Sequence, residues 1–128
     1  MKQLILTLTV LIMSSSVFSD DHKPASPVKL QSFISTLEGH EGIIADVEIA
    51  PNGALPAHQH PGDEFLYMLT GTVELSRRDL PTITLNAGDA FQIPAGTIHS
   101  PKGGPEGARA IVFRVHPTGE PVAVPADE

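Results

Sequence analysis

Three histidines and one glutamate carry spacings suited to holding a metal ion. His58 and His60 are two residues apart, Glu64 follows across Pro61-Gly62-Asp63, and His99 arrives 35 positions later behind a Pro94-x-Gly96 turn. In a β-strand, residues two apart face the same side, so His58 and His60 can both reach one ion. Pro-Gly-Asp makes a tight turn, which folds the next strand back and brings Glu64 alongside. His99 can join only if the fold places a second strand beside the first. Imidazoles with a carboxylate suit one divalent transition metal ion, Fe, Mn, Ni, Cu or Zn, and a six-coordinate ion would keep one or two positions open for substrate or dioxygen. A redox-active ion there supports O₂ activation, with Glu64 able to act as the catalytic base.

The residues around these four carry a family resemblance. Gly53-Ala-Leu-Pro-Ala-His58-Gln-His60-Pro-Gly-Asp-Glu64-Phe-Leu-Tyr-Met-Leu-Thr-Gly71 resembles the first motif of the cupin superfamily. Gly88-Asp-Ala-Phe-Gln-Ile-Pro94-Ala-Gly96-Thr-Ile-His99 resembles the second. Two departures stand out: four residues instead of five separate Gly53 from His58, and Gly103 stands where the family usually has Asn. Neither removes a ligand. The resemblance implies a small single-domain cupin, that is, an all-β jelly-roll barrel of the double-stranded β-helix type. It also implies His58, His60, Glu64 and His99 as the metal ligands, and a homodimer formed through the sheets.

The N-terminus reads as an export signal. Met1-Lys2 precedes an apolar run from Leu4 to Met13, then Ser14 to Ser19 and the acidic pair Asp20-Asp21. A basic start, a short apolar core and small residues before the cleavage site are the marks of a secretory signal, with cleavage expected after Ser19. The run is shorter than the roughly 20 residues that span a bilayer. The expected organisation is a signal over residues 1–19, a mobile segment over 20–27, a barrel over 28–116 and a C-terminal tail over 117–128. The signal holds one of the 8 basic residues and none of the 15 acidic ones, so the exported part has a formal charge of −8. Such a surface lacks a basic footprint for nucleic acid and repels anionic lipid once the signal is gone. Cysteine is absent, which removes disulfides, thiolate ligands and a thiol nucleophile. Outside the cytoplasm, intrinsic affinity favours Cu and Zn over Mn and Fe.

Proline and glycine, 23 residues together, exceed the usual share of about 12% and cut the chain into short β-type runs. Strands are expected near 28–33, 43–49, 55–60, 64–69, 72–77, 82–85, 89–93, 98–100 and 108–116. The Gly103-to-Gly107 stretch reads as a turn. Alternation places Ile43, Ala45, Val47 and Ile49 inward, with Asp46 and Glu48 outward. It also sends Leu66 and Met68 toward the site from Glu64, and puts Phe91 and Ile93 on one face. In the last strand Ile111, Phe113 and Val115 read as inward, which sets Arg114 and His116 on the other face and excludes His116 as a ligand. His22 and His40 read as surface residues. With no inward Arg or Lys, a neutral or aromatic ligand is favoured over a dianion.

The expected function is that of an exported, metal-dependent enzyme on a small molecule, dioxygenase-like in its chemistry. The alternative is a non-enzymatic periplasmic module that holds metal or a small ligand. Histidine ligands bind only when unprotonated, so an accessible site should release its ion below about pH 6, close to the reference imidazole pKa.

Overall fold

Short β-prone runs between proline and glycine turns produce an all-β chain. The computed structural model describes residues 26–127, in eight strands with no helix among them. The expected signal and the first residues after it lie outside the described residues. The strands are β1 (Val28–Phe33), β2 (His40–Ile49), β3 (His58–Gln59), β4 (Asp63–Arg77), β5 (Leu80–Asn86), β6 (Ala90–Ile93), β7 (His99–Pro117) and β8 (Val124–Pro125). They form one curled antiparallel sheet in the order β1-β2-β7-β3-β8, with β4 paired to β5, β6 and β7.

Two pairs of expected strands are continuous. Residues 64–69 and 72–77 belong to β4, and 98–100 and 108–116 belong to β7. Gly71 therefore bends a strand instead of ending it. The Gly103–Gly107 stretch, expected as a turn, runs inside β7: Val73 pairs with Gly103 and Gly71 with Ala108, so the extra residues of β7 bulge opposite Thr72. A bulge keeps the ladder and turns it.

The β2 alternation is as expected, with Ile43, Ala45, Val47 and Ile49 buried and Glu48 exposed. Asp46 points outward yet is covered, because Arg109 grips both its oxygens at 2.9 and 2.7 Å. The β7 assignment is reversed. Directly paired residues of an antiparallel ladder share a face, and β2 pairs Ile43 with Arg114, Ala45 with Val112, Val47 with Ala110 and Ile49 with Ala108. The inward set is thus Ala108, Ala110, Val112, Arg114 and His116, while Ile111, Phe113 and Val115 face out. Hydrophobic pattern alone misleads because β7 is apolar on both faces; outside, Phe113 meets Phe65 at 6.3 Å between ring centroids. The core joins Ala45, Val47 and Ile49 to Met68, Val73, Leu75, Leu85, Ile93, Ala108 and Val112.

The segment after Pro117 also differs from a mobile tail. β8 pairs with β3, His58 opposite Pro125 and Gln59 opposite Val124, and Ala126 N–H donates to Ala57 O at 3.0 Å. A two-residue strand finds a partner here because β3 is itself an open edge on that side.

Gly71 gives a test of the bend. Its φ is +71°, and a Cβ there would run into the backbone carbonyl of Gly107. Gly88 has φ +93° but open space around it. Gly71→Ala should cost at least about 2 kcal/mol through strain and backbone displacement, and Gly88→Ala about 1 kcal/mol from conformation alone, as read from urea unfolding midpoints. Equal costs would mean that the close approach at Gly71 does not hold the bend.

Candidate metal centre

Two turns that hydrogen-bond each other assemble the site. Gly62 sits so close to Val115 O that any Cβ would overlap it, which lets the Pro61-Gly62-Asp63 turn lie flat on β7. Asp63 Oδ1 then accepts from Ala95 N–H at 3.0 Å, and Gly96 N–H donates to His60 O at 2.9 Å. The Pro94-Ala95-Gly96 turn of the second motif is thereby tied to the first motif. On the other side His58 of β3 is the direct ladder partner of His99 at the start of β7.

The three imidazoles converge. Ring centroids lie 4.9 Å apart for His58 and His60, 4.4 Å for His58 and His99, and 5.3 Å for His60 and His99. One ring nitrogen from each falls within 4.8 Å of the others. All three Nδ1 atoms face backbone carbonyls: His58 to Pro56 O at 2.8 Å, His60 to Val122 O at 2.6 Å and His99 to Thr97 O at 2.9 Å. A carbonyl can only accept, so each Nδ1 carries the proton and each Nε2 keeps a free lone pair. This is how ligating imidazoles are oriented by the groups behind them.

Glu64 lies beside this group, with Oε2 3.0 Å from His60 Nε2 and 2.7 Å from Arg114 Nε. His60 Nε2 is buried and finds no hydrogen-bond partner of good geometry. A lone-pair nitrogen facing a carboxylate oxygen at that distance needs a cation between them, either a proton or a metal ion. The donor set therefore fits a transition metal ion, with His58, His60 and His99 as the residues that would hold it and Glu64 within reach. In the metal-free protein, where a proton sits between His60 and Glu64, burial pushes the Glu64 carboxyl up, but that contact and the charge of Arg114 outweigh it and hold Glu64 at about 2. Burial pushes His58 down and takes His99 down to about 4.

Two histidines stay outside the cluster. His116 is inward and buried, with Nε2 donating to Glu120 O at 2.9 Å; its position, outside the lining of the cavity that the three histidines share, and not strand parity, separates it from the site. His40 contacts Glu38 O at 3.0 Å in its loop, and His22 lies outside the described residues. Sequence reasoning missed Arg114, whose facing could be read only from the β2–β7 register, and Val122, whose contribution is a carbonyl.

The histidines, Glu64 and Arg114 form one polar end of a cavity of about 430 Å³. Its other walls include Val47, Ile49, Leu66, Met68, Val73 and Leu75, and the C-terminal segment closes one side with Val122, Ala123 and Pro125. Leu66 and Met68 thus face the site as expected.

This fold and site define a small jelly-roll barrel of the double-stranded β-helix type, with a three-histidine cluster at one end of an apolar cavity. A cupin-domain family model matches residues 45–116, and the chain belongs to the cupin family. Germin-like protein 5-1 of Oryza sativa subsp. japonica is 32% identical over 71 residues, 52% of this chain and 32% of that protein. The chain spans about a third of the length of the curated relatives it matches. A solved protein with a double-stranded β-helix domain from Klebsiella pneumoniae subsp. pneumoniae aligns over 90% of this chain and 100% of its own, with TM-score 0.67 and 21% identity, a likeness of fold alone. Oxalate oxidase in complex with the substrate analogue glycolate aligns over 65% of this chain and 45% of its own, with TM-score 0.58 and 25% identity.

Two outcomes test the centre. A chain truncated after Glu120 loses the acceptor of His60 Nδ1 and one cavity wall, and its Zn affinity should fall roughly 10- to 100-fold in a competition titration; unchanged affinity would show that Val122 does not orient His60. The second is pH dependence. Because burial lowers His58 and His99, protons compete with the ion only below the ordinary imidazole range, so Zn release should have its midpoint below pH 6, toward pH 4. In the metal-free protein His99 protonates at about 4, whereas in the unfolded chain it protonates near 6.5. The unfolded state then binds the extra proton, and stability falls as pH drops through that window, by on the order of 3 kcal/mol. Glu64 adds a further loss from its ordinary value of 4.5 down to about 2.

Proposed function

We propose that the protein is an exported metal-dependent enzyme that acts on a small organic molecule by dioxygenase-like chemistry. The observation that carries this reading is the convergence of three buried-side imidazole nitrogens, each with its Nδ1 fixed on a carbonyl, at the wall of a cavity large enough for a small substrate. A bound redox-active ion would supply O₂ activation at that wall. The chain's own residues hold the ion, exclude water with apolar walls and present the substrate to the cluster. Likeness to an oxalate oxidase supports an oxidative activity, and the N-terminal signal pattern supports export to the periplasm or beyond the cell, where Cu or Zn would be the ion most strongly bound. The same reading includes a homodimer: Phe65, Tyr67, Leu69 and Phe113 stay exposed on the outer face of β4 and β7.

One observation favours the second reading, a binding module without turnover. Glu64, the one carboxylate among the described residues lining the cavity, is held at about 2 by His60 and Arg114 against its burial, which makes it a weak base at neutral pH.

Oxygen uptake decides between them. Protein loaded in turn with Cu, Fe, Mn, Ni and Zn is offered a panel of phenols and small carboxylic acids, with His58→Ala as control. The enzyme reading expects uptake with at least one redox-active ion and none with Zn or His58→Ala. Tight metal binding with no uptake across the panel would establish the binding module.

A further inference from the structure

The cavity holds one cation among its described lining residues, Arg114. It reaches the cavity from β7, where its ladder partners are Ile43 on one side and Glu64 on the other. The residue is buried, 9% exposed, and its Nε donates to Glu64 Oε2 at 2.7 Å. A guanidinium carries five N–H donors in a rigid fork. Among the described residues Glu64 is the only acceptor it finds, so the donors on its Nη atoms are left to whatever occupies the cavity. The side chain keeps 11% of its surface open, so these donors remain available to a ligand in the cavity it lines.

The charge balance points the same way. Glu64 and Arg114 cancel, and the three imidazoles are neutral when their Nε2 lone pairs face an ion. A divalent cation held there would bring two uncompensated positive charges into an apolar enclosure, where charge is expensive unless paired. An anionic ligand lowers that cost. The remaining walls, Val47, Ile49, Met68, Val73 and Leu75 among them, offer nothing to a second carboxylate. A volume of about 430 Å³ lies within the usual range for small-ligand pockets of roughly 300–1,000 Å³.

We infer that Arg114 anchors a carboxylate, and that the ligand of this cavity is a monocarboxylate with an apolar body whose acid group meets the Nη edge of Arg114, beside Glu64. The inference deepens the reading of the preceding subsection and takes from it only the metal at the cluster. Arg114 then sets specificity: its fork matches a carboxylate in two-point geometry, and it discriminates against dianions such as oxalate only through the apolar walls opposite it. The role differs from that of a charge placed solely to neutralise Glu64, which would leave ligand choice indifferent to a negative group.

Calorimetric titration of the Zn-loaded and the metal-free protein with benzoate, benzamide, hexanoate and hexanamide tests it. Zn is redox-silent, so binding is read without turnover. Each carboxylate should bind at least about tenfold more tightly than its amide, as charge-assisted pairing demands, and Arg114→Gln should bring the two to within about twofold. Equal affinities in the unsubstituted protein, or a preference that survives Arg114→Gln, would overturn the assignment. If Arg114→Gln does not fold, Arg114→Lys keeps the charge and removes the fork, and the preference should drop severalfold; an unchanged ratio would overturn it. Failure of the metal reading is seen separately, as absence of Zn binding with the carboxylate preference intact in the metal-free protein. A preference confined to the Zn form and indifferent to Arg114 would make the ion the anchor and overturn the proposal.

Discussion

The bend that Gly71 and Gly107 put into the β4–β7 ladder is the constraint on which the site depends. His99 opens β7 and Arg114 lies near its end. In a straight strand the 15 steps between them would span about 50 Å at roughly 3.3 Å per residue. Both nevertheless line one cavity. The ladder is therefore folded back on itself, and it folds where Gly71, at φ +71°, lets the backbone of Gly107 come within the space a side chain would need. The buried apolar positions of β2, β4 and β7 then meet across the resulting barrel, and the histidine cluster forms where the two ends of the long strands approach.

Proton positions, more than side-chain identities, turn that meeting point into a centre. A histidine pair without backing acceptors would sample both tautomers and rotate. Here Pro56, Thr97 and Val122 each supply a carbonyl, and the first two are only two residues before the histidine they orient. Val122 is 62 residues from His60, so the third ligand depends on a segment that reaches the barrel through the short β3–β8 pairing. The stability of that pairing and the orientation of His60 are coupled, since β8 also occupies the open edge of β3.

How much could be read from the chain follows from which of these causes are local. The spacing of His58, His60 and Glu64 and the turn before His99 are local, and their grouping at one place was legible before any fold was known. The β2 alternation was legible too, because Asp46 and Glu48 interrupt an otherwise apolar run. β7 offered no such contrast: Ile111, Phe113 and Val115 are as apolar as Ala108, Ala110 and Val112, and only pairing with β2 decides which set is inside. Choosing the wrong set hid Arg114, so the expectation that no Arg or Lys faces inward fails. The glycines of β4 and β7 read as breaks because a bend and a chain reversal use the same residue. Val122 left no mark, since a backbone carbonyl is common to every residue type.

The pairing of Glu64 with Arg114 also bears on which chemistry the barrel can perform. General bases work best when their pKa lies near the operating pH. Glu64 is held at about 2, because the His60 contact and the Arg114 charge override the upward push of burial. An isomerase or lyase that must abstract a proton from carbon needs a stronger base than the resting site provides. What the resting site does provide is three fixed imidazoles and apolar walls, which would hold in place and keep dry whatever binds beside the cluster.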